Sequence, residues 1–124
     1  SGCLQTTMRI EEIRDILKAE VLTGKDLMDR SVAAAGGADL MNDVLAAASE
    51  GAVLLTGLTT ENVLRTAKIT GVVVIVFVRG KRPQKKIIDL ADDYQMPLLL
   101  TDCSLFVASG RLYMNGLRGL DGSW

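Results

Sequence analysis

From residue 52 onward the chain uses one unit three times: an apolar run of strand length, a short polar turn and an amphipathic helix. In "AVLLTGLTTENVLRTAKITG" the strand is Val53-Leu54-Leu55, Thr59 or Thr60 caps the helix, and Val63, Leu64 and Ala67 form its apolar face. Gly71 then ends the helix as a left-handed cap. "VVVIVFVRGKRPQKKIIDLADDYQ" repeats the scheme with Ile87, Leu90 and Ala91 at helical spacing, and Pro83 suits the first helical position. "MPLLLTDCSLFVASGRLY" is the third unit. Uninterrupted apolar strands alternating with helices specify a parallel sheet covered on both faces. Three units without a shared side-chain signature reflect that architecture and not a solenoid.

The first half is less regular. "TMRIEEIRDILKAE" is an amphipathic helix with Ile10, Ile13 and Leu17 on one stripe. "EVLTG" and "RSVAAAGG" read as short strands around a turn. "GGADLMNDVLAAASEG" reads as a glycine turn, Asp39 as N-cap, and a helix burying Leu40, Val44, Leu45 and Ala48. The expectation is a single compact α/β domain over residues 1–124. Its sheet is largely parallel (mixed), with about four to six strands and helices on both faces. Residues 1–7 and 118–124 are expected to be loose termini.

The 124 residues suit one modest core, and with aromatics at only 4% it must be built from aliphatic side chains. The net charge of −1 excludes a general polyanion binder, so any basic feature is local. The longest apolar run, Val72 to Val78, falls far short of the roughly 18 residues that span a bilayer. No membrane partner and no leader are expected. Two cysteines, Cys3 and Cys103, make no disulfide framework, which points to the cytoplasm. The chain has no histidine, which excludes a Ser-His-Asp triad, a Cys-His pair and an HExxH zinc site. One basic loop without interleaved aromatics gives no nucleic-acid signature.

In parallel α/β sheets ligands collect beyond the carboxyl ends of the strands. Three turns meet that description: Thr56-Gly57-Leu58-Thr59-Thr60, Arg79-Gly80-Lys81-Arg82-Pro83 and Thr101-Asp102-Cys103-Ser104. They supply hydroxyls, permissive glycines, helix N–H groups and cations, a set suited to phosphate or carboxylate. The candidate ligand-binding residues are therefore Thr56, Gly57, Thr59, Arg79, Gly80, Lys81, Arg82, Thr101, Asp102 and Ser104.

Five basic side chains fall in the eight residues 79–86. With Pro83 at the first helical position, Arg82 becomes the N-cap and leaves the helix N–H groups free. Lys85 and Lys86 add positive charge where the helix dipole is already positive, at a cost of about 0.3–1 kcal/mol each. An anionic ligand or an acidic partner can offset this. A solvated basic loop, screened by salt with Asp92 and Asp93 nearby, is the alternative. There is neither GxxxxGK[ST] nor GxGxxG; Thr23-Gly24-Lys25-Asp26 only imitates the end of a P-loop. Asp39 and Asp43, one helical turn apart, read as cap and first-turn acid in preference to metal ligands. Cys103 follows Asp102, the expected N-cap of the last helix, and reads as a small boundary residue without a basic partner. The apolar face of "LFVASGRLYMNGL" is core or a dimer seam.

"LTGKDLMDRSV", "GGADLMNDVLA", "LLTGLT", "VRGKRP" and "MPLLLTDCSLFVASGRLYMNGL", in that order, resemble the DRTGG domain over about residues 8–117. The literal string is absent. Asp29-Arg30 and Thr56-Gly57 look like its pieces, and Arg79-Gly80 stands where many members have two glycines. The resemblance implies a fold similar to the N-terminal domain of HPr kinase/phosphorylase and the uridine-nucleotide-binding domain of Mur ligases. Such domains accompany catalytic or sensing domains, as in long phosphotransacetylases and CBS-containing pyrophosphatases. They tend to self-associate and are not known as catalysts.

The reading is a non-catalytic regulatory or interaction module, a homodimer without cofactor, sensing a phosphorylated metabolite or nucleotide at the C-terminal edge of the sheet or engaging a protein there. The alternative is a small enzyme using the Thr101–Ser104 turn with the basic Arg79–Arg82 turn as anion holder.

Overall fold

The structure is a computed structural model and describes residues 7–120. Cys3 and the expected tail beyond Leu120 lie outside the described residues. The chain opens with β1 (Met8–Arg9), α1 (Ile10–Leu17) and β2 (Glu20–Thr23). After a 3₁₀ turn come β3 (Ser31–Val32), β4 (Ala34–Gly37), α2 (Met41–Ala47), β5 (Ala52–Thr56) and α3 (Glu61–Thr70). It closes with β6 (Val74–Phe77), α4 (Lys85–Asp93), β7 (Leu98–Leu100) and α5 (Leu105–Met114).

The main sheet has the order β2-β7-β6-β5-β4. Its last four strands run parallel, while β2 is antiparallel to β7. The five-stranded mixed sheet is the architecture that the strand–turn–helix repetition implies. β1 and β3 form a separate antiparallel pair, so "EVLTG" and "RSVAAAGG" yield strands that do not pair with each other. "RSVAAAGG" holds two strands, and only β4 belongs to the main sheet.

Every residue of β5, β6 and β7 is buried because the sheet is covered on both faces. Leu54, Ile75, Phe77 and Leu98 pack with α2, α3 and α4 on one face. Val53, Leu55, Val74, Val76 and Leu99 pack with Ile13 and Leu17 of α1 and Leu112 of α5 on the other. Alternation along each strand assigns the two sets. Thr60 caps α3, its Oγ1 accepting from Val63 N at 3.4 Å, and Gly71 (φ 83°) ends it. Among the described residues no helix is long and apolar enough to cross a membrane.

Three helix starts differ from expectation. α2 is capped by Leu40, not Asp39, and Leu40 and Leu45 are 67% and 63% exposed. Val44 and Ala48 are buried as expected, and the small Ala47 joins them. Asp39 turns instead to Gly57 and Arg79, in the turns that follow β5 and β6. α4 begins at Lys85 with Gln84 as N-cap, two residues later than Pro83 suggests. In the segment before it Pro83 is buried and Arg82 reaches Glu20 on the edge strand β2. α5 is capped by Ser104, whose Oγ accepts from Val107 N at 3.1 Å, and not by Asp102. The expected loose tail is partly held: Ala35 N donates to Arg118 O at 2.9 Å, and Gly119 bridges to Ala35 alongside β4.

Candidate functional site

The parallel strands deliver four chain segments to one edge: Ala38-Asp39 after β4, Thr56-Gly57 after β5, Arg79-Gly80 after β6 and Thr101-Asp102 after β7. Of the candidate residues, the structure joins Gly57 and Arg79 most closely, through Asp39. The Asp39 carboxylate accepts from Gly57 N at 2.7 Å with one oxygen and from Arg79 Nη1 at 2.6 Å with the other. Burial raises the pKa of this carboxyl, but the Gly57 amide and the Arg79 guanidinium outweigh it and hold the net value below normal. The Arg79 guanidinium lies against Gly57 so closely that a Cβ there would collide with it.

Arg79 and Gly80 have φ of 57° and 65°, and Lys81 N donates to Val78 O at 3.1 Å to close the turn. Positive φ at both central positions is the signature of a type I′ turn, which favours two glycines. This explains why glycines suit the place and what Arg79 costs: a left-handed non-glycine residue is disfavoured by about 1–2 kcal/mol. Its amide donates to Cys103 O at 2.8 Å and that of Gly80 to Thr101 O at 2.9 Å, tying the turn to the end of β7. Asp102 is exposed, and a Cβ on Gly80 would stand 3.1 Å from its Oδ1.

The two strand-end threonines serve the turns. Thr56 is buried, and its Oγ1 accepts from Leu58 N at 3.1 Å. Thr101 is also buried; its Oγ1 accepts from Cys103 N at 3.2 Å and donates to Leu17 O at 2.8 Å. Thr59 instead lines a groove of about 340 Å³ with Thr60, Glu61, Gln84, Lys86 and Ile87, between the first turns of α3 and α4.

The basic run is largely neutralised by the chain's own carboxylates, though not by Asp92 and Asp93. Arg79 pairs with Asp39, Arg82 with Glu20 in a two-pronged contact of 2.6 and 3.3 Å, and Lys85 with Asp89 at 2.9 Å. The hydrogen bond from Arg82 lowers the pKa of Glu20. Lys81 and Lys86 have no carboxylate within ion-pair distance among the described residues. Cys103 does have a cation beside it: Arg111 Nη1, eight residues on, is 3.4 Å from its Sγ.

Asp39 and Glu20 are the residues that sequence reasoning did not place at this edge. Their partners lie 40 and 62 positions away, beyond any local spacing signal. Asp43 remains in the first turn of α2. Among the described residues there is no group of three or more acidic or cysteine side chains able to hold a metal.

The chain is similar in structure to the CBS and DRTGG domains of the regulatory region of Clostridium perfringens pyrophosphatase, a protein solved in complex with its activator, diadenosine tetraphosphate. The TM-score is 0.64 at 22% sequence identity, a likeness of fold. The match covers 84% of this chain and 45% of that one, so the chain spans less than half of that regulatory region. A comparison with curated proteins returns no match. The family model of the DRTGG domain matches residues 12–113, nearly the whole of the sheet and its helices, and the chain belongs to the DRTGG domain family.

Proposed function

We propose that this chain is a non-catalytic regulatory module of the cytoplasm that binds a phosphorylated metabolite or nucleotide at the C-terminal edge of its sheet. The observation that carries the reading is the convergence there of the Gly57 amide, the Arg79 guanidinium and the Arg79–Arg82 turn. The regulatory region of the C. perfringens pyrophosphatase, of similar fold, binds a dinucleoside polyphosphate. The binding residues would be Gly57, Thr59, Arg79, Gly80, Lys81, Arg82, Asp102 and Ser104, with Thr56 and Thr101 shaping the turns. Thermal unfolding against adenine, guanine and uridine nucleotides and diadenosine tetraphosphate tests this. A ligand at a hundred times its dissociation constant adds about 2.7 kcal/mol, a shift of several degrees for a domain of this size. The shift should vanish in Arg79→Ser and Lys81→Ser. A flat panel for the wild-type chain would overturn the reading.

The module is further proposed to act as a homodimer through α5. This helix carries a single charge, Arg111, and buries Ala108 and Leu112, yet leaves Phe106 and Met114 86% and 83% exposed. Phe106, Gly110, Tyr113 and Met114 share one arc of the helix. Nothing lies within 4 Å of a Cβ built on Gly110. A two-fold axis there would set each Phe106 beside the Met114 of the second copy, the self-complementary arrangement of an isologous interface. These side chains would form the apolar centre of an interface of about 800 Å² per partner. Sedimentation should give a dimer for the wild-type chain and a folded monomer for Phe106→Glu; a wild-type monomer at high micromolar concentration removes the dimer from the proposal.

A further inference from the structure

The groups expected to receive an anion at the sheet edge already hold one. Asp39 accepts the Gly57 amide with one oxygen and the Arg79 guanidinium with the other, at 2.7 and 2.6 Å. A carboxylate bridging a backbone N–H and an arginine has the two-oxygen pattern that a phosphoryl group or free carboxylate presents to the same donors. Three features show that the arrangement is a built seat and not a chance surface pair.

Gly57 has no side chain where a Cβ would collide with the guanidinium, so the arginine can lie against this residue. Arg79 holds a left-handed backbone conformation, its N–H donating a hydrogen bond to Cys103 O at 2.8 Å, and its side chain reaches back to Gly57 at the end of β5. Asp39 arrives from the end of β4, outside α2, and does not cap that helix. It can therefore leave the seat by side-chain rotation without unwinding a helix.

We infer that the Gly57 amide and Arg79 form a seat for one phosphoryl group or carboxylate, and that Asp39 is its resident occupant, which an incoming anion must displace. Asp39 is then the residue that sets the affinity threshold of the edge: the chain's own carboxylate competes with the ligand at an effective concentration fixed by a short tether. This rests on the ligand-binding reading above but concerns one seat within it.

The test is calorimetric titration of inorganic pyrophosphate into the wild-type chain, Asp39→Asn and Asp39→Ser. Asparagine preserves an acceptor for the Gly57 amide while removing the competing charge, and serine covers the case in which asparagine fails to fold. Binding should tighten at least about tenfold in the folded variant, equivalent to about 1.4 kcal/mol. Adding Arg79→Ser to that variant should abolish the gain. Equal or weaker binding than wild type in both Asp39 variants overturns the seat. If nucleotides shift the unfolding of the wild-type chain while pyrophosphate gains nothing from Asp39→Asn, the seat fails and the ligand-binding reading stands. If neither nucleotide nor pyrophosphate binds any of these chains, both fail.

Discussion

Replacing Gly36 by alanine should lower the unfolding midpoint by about 10 °C, a large effect for a single methyl group. A Cβ at Gly36 would penetrate the carbonyl oxygen of Ala47 and stand 3.1 and 3.2 Å from its carbonyl carbon and Cα. All three are backbone atoms in the last turn of α2, so no rotamer change can clear them. Either α2 must lift from the sheet, exposing Val44 and Ala47, or β4 must shift against β5, where Gly36 pairs with Leu54. Overpacking of this kind costs about 1–3 kcal/mol, and a backbone clash belongs at the upper end. Gly37 is the internal control. Its Cβ would meet the Cδ1 of Leu105 at 2.9 Å, the far end of a side chain that can turn aside. Gly37→Ala should cost a fraction as much. Calorimetric melting of the two variants decides the matter, and a Gly36→Ala midpoint within two or three degrees of wild type would show that α2 is not seated as described.

The second large effect is expected of Thr101→Val, a change that keeps shape and removes a hydroxyl. Thr101 Oγ1 donates to Leu17 O and accepts from Cys103 N, joining the end of α1 to the turn after β7. Valine leaves that carbonyl and that amide without the threonine hydroxyl. The penalty for each unsatisfied buried group is about 1–3 kcal/mol, so the pair should cost about 3 kcal/mol. Thr101→Ser keeps the hydroxyl and forfeits one methyl, at about 1 kcal/mol. Chemical denaturation should therefore rank wild type, serine and valine in that order with unchanged slope. A valine variant as stable as the serine variant would mean that water meets both backbone groups and that the hydroxyl is not a structural tie.

The fold was legible because its signals are local and redundant. Val53 to Leu55, Val74 to Phe77 and Leu98 to Leu100 are uninterrupted apolar runs. Ile10, Ile13 and Leu17 mark α1 by spacing alone, and Gly71 marks the end of α3. The helix starts were less so. Pro83 is compatible with an extended approach as well as a first helical turn, and its position does not reveal that Arg82 is stretched toward Glu20. Leu40 and Leu45 have the composition of a buried face, but Leu40 precedes the helix and Leu45 stands about a third of a turn away from Val44, so both are left exposed.

The candidate edge was legible in its turns and not in the contacts that its side chains make. Parallel strands bring Gly57, Arg79 and Asp102 to one edge when β5, β6 and β7 are neighbours; the sequence showed the strands, and their order came with the structure. Nothing local shows that Thr101 reaches Leu17 O, or that Asp39 crosses from the end of β4 to Arg79, because those contacts join segments far apart in the chain. Two acceptable roles for one residue, cap or cross-strand partner, look alike until the sheet is assembled.

The antiparallel placement of β2 beside β7 has a consequence for the order in which the molecule can form. β4, β5 and β6 are joined by short crossovers and can associate as each helix closes over the sheet. β2 cannot find its place until β7 exists, and the hydrogen bond from Thr101 to Leu17 spans 84 residues. Closing a loop of that length carries a large entropic toll that local contacts do not repay, which slows the final step. On a growing chain the apolar stripe of α1, Ile10, Ile13 and Leu17, is covered in stages: Met28 and Val32 follow closely, Val53 to Val76 come later, and Leu99, Ala108 and Leu112 complete the cover only after synthesis has passed residue 100.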